Sequence, residues 1–287
     1  MITIFTLPKP FIGSYKVIQL NAIMSWQKLH PSPEIILCGN EPGTAELCVR
    51  HGWLHLPDIY VNEYGTPRLD HAFARVHAVA QNSLLCYVNA DIILTSNFMM
   101  AVQRIRFGRF LMVGRRWNLN QVDSIDFTVQ DWEDHLKAHV GREGVLQPPL
   151  GSDYFVFKKG TLGELPPFVV GRPGWDNWMI YHARILKMPV IDATQACTVI
   201  HQNHDYKHVP GGSNLNNYLG PEADQNLIVM GGNRTRFTLL DATHLLTEQG
   251  LYPVRGFPYI KRRIQTLASL HPKLRPLADG IKRVLRK

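Results

Sequence analysis

The run from Leu84 to Leu94, LLCYVNADIIL, constrains this chain more than any other stretch. Nearly continuous apolar runs of this kind suit a strand covered on both faces, as in a parallel sheet flanked by helices. The residues around it agree. Ile2 to Leu7, Glu34 to Gly39, Trp53 to Tyr60 and Phe110 to Gly114 read as further strands. Between them, Tyr15 to Leu29, Thr44 to His51 (stopped by Gly52), Asp70 to Asn82 and a segment reaching about Ile105 read as helices. Strand and helix in alternation predict βαβ units and a mostly parallel α/β sheet. Ligands of such sheets bind beyond the carboxyl ends of the strands. The polar residues there are Pro8 and Lys9, Asn40 and Glu41, and Asn89 and Asp91.

The second half is less regular. Asp153 to Lys158 reads as a strand, Asp176 to Leu186 as a helix, and Pro189 to Ala193 and Ala196 to His201 as short strands. The Gly- and Asn-rich stretch from Val209 to Arg236 predicts a long mobile loop of the sort that closes over a ligand.

Charge separates the chain into two parts. From Arg255 to Lys287 there are ten Lys or Arg and one acid, a net +9, whereas the remaining 254 residues carry 21 basic and 22 acidic groups. A near-neutral body argues against a nucleic-acid groove, and a basic tail argues for a separate electrostatic device. The expected division is a catalytic body over 1–250 and a basic helical tail over 251–287. In the tail, FPYIKRRIQTLASL places Ile260, Ile264, Leu267 and Leu270 on one helical face, and LADGIKRVLRK repeats the theme. A basic amphipathic helix of this kind suits an anionic membrane surface. A helix packed on the body with a solvated basic face is the other reading.

Cys38, Cys48, Cys86 and Cys197 show no C-x-x-C spacing and lie mostly within apolar runs, as reduced core residues do. With no apolar segment long enough to span a bilayer and an N-terminus that reads as a strand, the expected location is cytoplasmic, peripheral on the inner face of a membrane.

Asp91 is the leading candidate for chemistry. A nucleotide diphosphate concentrates negative charge, which Mg²⁺ or Mn²⁺ neutralises through oxygen ligands, and a carboxylate at a strand end can hold such an ion. The alternative is an acid that only ends a strand. No G-x-x-x-x-G-K-[ST], G-x-G-x-x-G or G-x-S-x-G is present, so P-loop, dinucleotide and hydrolase-elbow readings lack their motifs.

The stretch GTPRLDHAFARVHAVAQNSLLCYVNAD, from Gly65 to Asp91, resembles the family 2-like GT-A glycosyltransferases. That pattern runs from a Gly-containing loop through an Ala-rich helix to a strand ending in a D-x-D type motif. GRPGWDNWMIYHA and the late TVIH extend the resemblance to roughly residues 2–205. The resemblance implies a GT-A fold and transfer of a sugar from a UDP- or GDP-sugar to a hydroxyl-bearing glycan, lipid or small molecule. It makes Asp91 the metal-binding acid, with Asn89 at the first D-x-D position, where one negative charge is lost. It favours a histidine completing the metal shell, His201 first and His204 second. Read by itself, the H-x-x-H-x-x-x-H of His201, His204 and His208 would suit zinc on a helix, although a strand-like TVI precedes it.

Asp176 is either a general base for the acceptor hydroxyl or a helix N-cap. Asp153 is the second candidate base, or a ligand of the donor sugar. Trp175, Trp178 and Tyr154 are candidate sugar platforms. Lys9, Pro8, Arg75, Glu41, Arg234 and Arg236 are candidate contacts to the nucleotide. The resulting expectation is an inverting, metal-dependent glycosyltransferase. The alternatives are a nucleotidyltransferase, whose Gly- and Lys-rich phosphate loop is missing at LPKPF, and a non-catalytic carbohydrate- or membrane-binding protein.

Overall fold

The computed structural model describes residues 1–121, 123–204, 220–274 and 276. The strands are β1 (Thr3–Thr6), β2 (Glu34–Cys38), β3 (Leu54–Leu56), β4 (Leu84–Val88), β5 (Ile92–Leu94), β6 (Leu111–Val113), β7 (Trp117–Leu119), β8 (Val145–Leu146), β9 (Tyr154–Lys158), β10 (Val190–Asp192), β11 (Val199–Gln202), β12 (His244–Thr247) and β13 (Gly250–Pro253). The helices are α1 (Gly13–Gln27), α2 (Thr44–His51), α3 (Leu69–Val79), α4 (Asn97–Gln103), α5 (Trp132–Glu143), α6 (Trp175–Ile185), α7 (Pro221–Met230) and α8 (Phe257–Leu270).

Nine strands form one sheet in the order β13-β12-β10-β6-β9-β4-β1-β2-β3. Strands β3, β2, β1 and β4 run parallel, as do β6, β10 and β12. Strand β9 is antiparallel to both its neighbours, β4 and β6. The expected mostly parallel α/β sheet flanked by helices is therefore present. Period-2 alternation feeds two cores. Cys86 and Val88 join a cluster with Ala22, Trp26 and Phe98 of α1 and α4, while Leu85 and Tyr87 join Phe73 of α3 and Trp175 of α6. Strand β4 is therefore apolar throughout because both faces are covered.

The run from Leu84 to Leu94 is two strands, not the single strand its composition predicts. The chain leaves the large sheet after Val88, turns over Asn89 to Asp91, and enters a second sheet of order β5-β11-β7-β8. Burial on all sides makes the two strands look like one in sequence. The small sheet packs its Ile93, Leu119 and Ile200 against Leu136 and Val140 of α5.

Within the expected loop from Val209 to Arg236, α7 occupies Pro221–Met230. Pro221 at its start, Glu222 and Asp224 in its first turn, and Gly231 in the left-handed region at its end are ordinary helix signals. The part of that loop up to residue 219, the candidate ligand His208 and the second tail segment LADGIKRVLRK lie outside the described residues. Strand β13 crosses the boundary expected after residue 250, pairing with β12 in the large sheet. The four cysteines are buried and form no disulfide.

Candidate functional site

The carboxyl ends of β1 and β4 open on a cavity of about 620 Å³. Antiparallel pairing of β9 with β4 sets Tyr154 opposite Val88, so the amino end of β9 meets the carboxyl end of β4. This reversal carries Ser152 and Asp153 to the cavity wall beside Asn89 and Asp91. The start of α6 supplies Trp175 and Asp176, and the end of β11 supplies His201, with His204 just beyond.

Strand register explains how Asp91 meets residues more than a hundred positions away. In the antiparallel pair of β5 with β11, His201 lies opposite Ile92, one residue past Asp91. His204 Nε2 stands 3.0 Å from Asp91 Oδ2, and His201 Nε2 stands 3.5 Å from the same oxygen. The two imidazoles lie 5.4 Å apart between centroids. Because His201 sits on a strand, the reading of these histidines as one face of a helix does not hold.

Burial by itself would raise the pKa of Asp91. The charges and hydrogen bonds of His201 and His204 outweigh it and hold the carboxyl well below the ordinary range. Asp91 Oδ1 and His201 Nδ1 are nevertheless buried without a hydrogen-bond partner. Leaving such groups unsatisfied costs about 1–3 kcal/mol each. A carboxylate and two imidazoles, with their ligand atoms within 4.8 Å of one another, form a donor set that fits a divalent ion.

The turn carrying Asp91 is clamped from below. Gln202 donates through its backbone N–H (3.3 Å) and its Nε2 (3.1 Å) to the Asp91 carbonyl. Its Nε2 also reaches Ile18 O at 2.8 Å, and its Oε1 accepts from Asn21 Nδ2 at 2.9 Å. Trp26 Nε1 donates to Ile92 O at 2.7 Å, and Ser25 Oγ accepts from Leu94 N at 3.1 Å. These contacts explain why α1 buries Asn21 and Ser25 among apolar residues. The sequence reading missed Gln202; its signal was a polar residue directly after His201.

Asp176 occupies the first turn of α6, but the N-cap is Gly174 at φ 104°. Its carboxylate instead accepts from first-turn N–H groups of the helix, those of Asp176 and Asn177. Burial raises its carboxyl to a pKa of about 6, and the negative charge of Asp153 adds to the rise. Backbone N–H groups of Asn177, Ser152 and Asp176 itself oppose it. A Cβ at Gly151 would stand 2.8 Å from Asp176 Oδ2, so a larger residue there would displace the carboxylate.

Asp153 is engaged differently. It forms an ion pair with Arg116 and accepts from Asn89 Nδ2 at 2.8 Å. Arg116, absent from the sequence reading, also lines the cavity. The amide of Asn89, at the first D-x-D position, is thus turned toward Asp153.

Of the remaining candidates, Lys9, Trp175 and Arg236 line the cavity; Pro8, Glu41, Arg75 and Arg234 do not. Lys9 Nζ lies 4.5 Å over the ring of Tyr15, another lining residue. Glu41 lies beyond β2, where its carbonyl accepts from Thr44 N at the head of α2. Arg75 lies on α3 near Cys38. Arg234 is exposed on a short 3₁₀ turn, Asn233–Thr235. Trp175 packs edge-on against Tyr87 with centroids 5.1 Å apart, so it is a core residue with an edge at the cavity. Tyr154 and Trp178 are buried and do not line it, which removes both as sugar platforms.

No family model matches the chain, and no curated protein matches it in sequence. Among solved structures, its fold is similar to that of glucosyl-3-phosphoglycerate synthase from Mycobacterium tuberculosis in complex with Mn²⁺, UDP and phosphoglyceric acid. The identity is 16% over 81% of this chain and 79% of that one, at a TM-score of 0.46. It is also similar to that of S. aureus TarS in complex with UDP-GlcNAc, at 12% identity over 72% of this chain and 60% of that one, with a TM-score of 0.47. The likeness is one of fold, and it carries no residue role or substrate to this chain.

Proposed function

We propose that this chain is a metal-dependent glycosyltransferase that moves a sugar from a nucleotide-diphosphate sugar to a hydroxyl acceptor with inversion. The observation that carries the reading is the convergence, in one cavity at the strand ends, of the Asp91–His201–His204 cluster and the raised carboxyl of Asp176. Asp91 would hold the ion through its carboxylate, with His201 and His204 as imidazole ligands. Such an ion neutralises the diphosphate and the charge that builds on it as it leaves. Two imidazoles beside one carboxylate favour Mn²⁺ over Mg²⁺, which is held by carboxylates, waters and phosphate oxygens.

Lys9 and Arg236 bring further positive charge to the wall that would face a UDP- or GDP-sugar. Asp153, oriented by Arg116 and Asn89, is assigned to the hydroxyls of the donor sugar. Asp176 is assigned as the base. Its carboxylate takes the proton of the acceptor hydroxyl while that oxygen bonds to the anomeric carbon and the bond to the diphosphate breaks. A base with a pKa near 6 is largely deprotonated at neutral pH yet basic enough to accept a proton in the transition state. The buried cysteines, free of disulfides, suit a reducing, cytoplasmic location. Calorimetric titration with UDP and with GDP, with and without Mn²⁺, tests the reading. Metal-dependent binding of one nucleotide is expected, and binding of neither would overturn it.

A further inference from the structure

Helix α8 has its two faces arranged opposite to what a packed amphipathic helix shows. Phe257, Ile260, Ile264 and Leu267 are exposed, at 75%, 52%, 71% and 46%. Their spacing of three, four and three residues puts them on one stripe at about 100° per residue. The opposite face meets the body. Arg262 Nε donates to Asp241 Oδ2 at 2.8 Å, Arg262 Nη2 donates to Arg236 O at 2.8 Å, and Thr266 is buried. Tyr259 and Leu270 pack against the core that holds Phe73 and Trp175, so Leu270 leaves the stripe in which its spacing would place it. The body thus holds the helix by a basic residue and turns the apolar stripe outward.

The flanks of the stripe decide what covers it. Helical geometry sets exposed Lys261 about 80° to one side of the stripe's centre and exposed Arg263 about 80° to the other. The helix carries no acid, and Arg255 and the sequence beyond it add further basic charge. Pairing of this helix with the same helix of a second copy would leave these like charges facing one another without complement. An apolar stripe bordered on both sides by long cationic chains matches the boundary between lipid headgroups and acyl chains. Among the described residues no helix is long and apolar enough to cross a membrane.

We infer that α8 docks the protein onto an anionic lipid surface. It lies in the plane of the interface, with Phe257, Ile260, Ile264 and Leu267 inserted and Lys261 and Arg263 at phosphate level. The inference stands apart from the catalytic assignment, because none of these residues lines the cavity.

The test is sedimentation of the full chain with vesicles of phosphatidylglycerol and phosphatidylcholine, and with phosphatidylcholine alone, at low and high salt. Binding to the anionic vesicles is expected, weakening with salt and on neutral lipid. Ile260→Asp with Ile264→Asp should reduce the partition by about tenfold or more, as should Lys261→Glu with Arg263→Glu. Melting temperature and Mn²⁺-dependent nucleotide titration check that these variants keep the fold, and Leu267→Gln replaces any that does not. Failure of the parent protein to bind anionic vesicles would overturn the inference. So would retained binding in the folded stripe variants. A concentration-dependent dimer abolished by the stripe variants, with no vesicle binding, would assign the face to a second copy instead.

Discussion

Asp91 and Asp176 face the same cavity, yet their surroundings drive them in opposite directions. Both are removed from bulk water, which alone raises a carboxyl pKa. Asp91 has two imidazoles within 3.5 Å and stays ionised. Asp176 has a second acid, Asp153, as its charged neighbour, and rises to about 6. Environments that push two carboxyls apart divide the work between them. The acid locked in its ionised form suits a permanent positive partner, and the one poised near neutrality suits proton transfer. Burial is common to both; the sign of the nearest charge separates them.

The contrast can be broken first at Asp176. Asp176→Asn should lower turnover by about 10²–10⁴-fold while donor binding survives, as single-turnover and titration measurements would show. Its stability effect has a definite sign. With a folded pKa near 6 against an ordinary 3.8, the native state binds the extra proton between those values, so stability falls as pH rises through that window. At pH 7 the charged form is a burden, and Asp176→Asn should raise stability, by on the order of 1–3 kcal/mol. A capping acid would give the opposite sign in the same melting experiment.

Next in size is Asp91→Asn, which should abolish Mn²⁺-dependent nucleotide binding and leave the chain folded. Calorimetry in Mn²⁺ with diphosphate affinity equal to that of the parent would remove the metal assignment. The pH profile of the parent protein's turnover comes third. Turnover should be flat above about pH 6 and fall about tenfold per unit below it, as the base is protonated. The smallest effect sharpens the comparison. Arg116→Gln removes the cation paired with Asp153 and leaves more negative charge beside Asp176. The acid limb of the profile should move upward by roughly half a unit. An unmoved limb would show that Asp153 does not set the poise of Asp176.

The sheet was legible because its strands are apolar on both faces and its helices carry periodic stripes. The members of the candidate metal cluster were picked out through the resemblance, Asp91 by its place in a D-x-D type motif and His201 and His204 by the late TVIH. What joins them was not legible. The register that sets His201 opposite Ile92 is a pairing across more than a hundred residues, with no trace in either segment alone. Glu41 and Pro8 show the same limit at smaller scale, since a strand's end can be located without knowing which side chain turns toward the cavity. The hairpin of β12 and β13 has Glu248 and Gln249 at its tip, without the Asn-Gly or Asp-Gly that usually marks a two-residue turn. Helix α7 did carry its signals, but glycines and asparagines on both sides outweighed them in the reading.

The turn between β4 and β5 also works as a ruler. Ile92 and Leu94 belong to the core beneath the large sheet, while Ile93 belongs to the core under α5. Adding or deleting one residue between Val88 and Ile92 would shift β5 by half a pleat and exchange the two sets of side chains. Each core would then receive residues shaped for the other, whatever residue was inserted. The length of Asn89–Ala90–Asp91 is therefore policed by hydrophobic packing on both sides. A change of length would be felt first as a folding defect and only afterwards as a displaced candidate metal ligand.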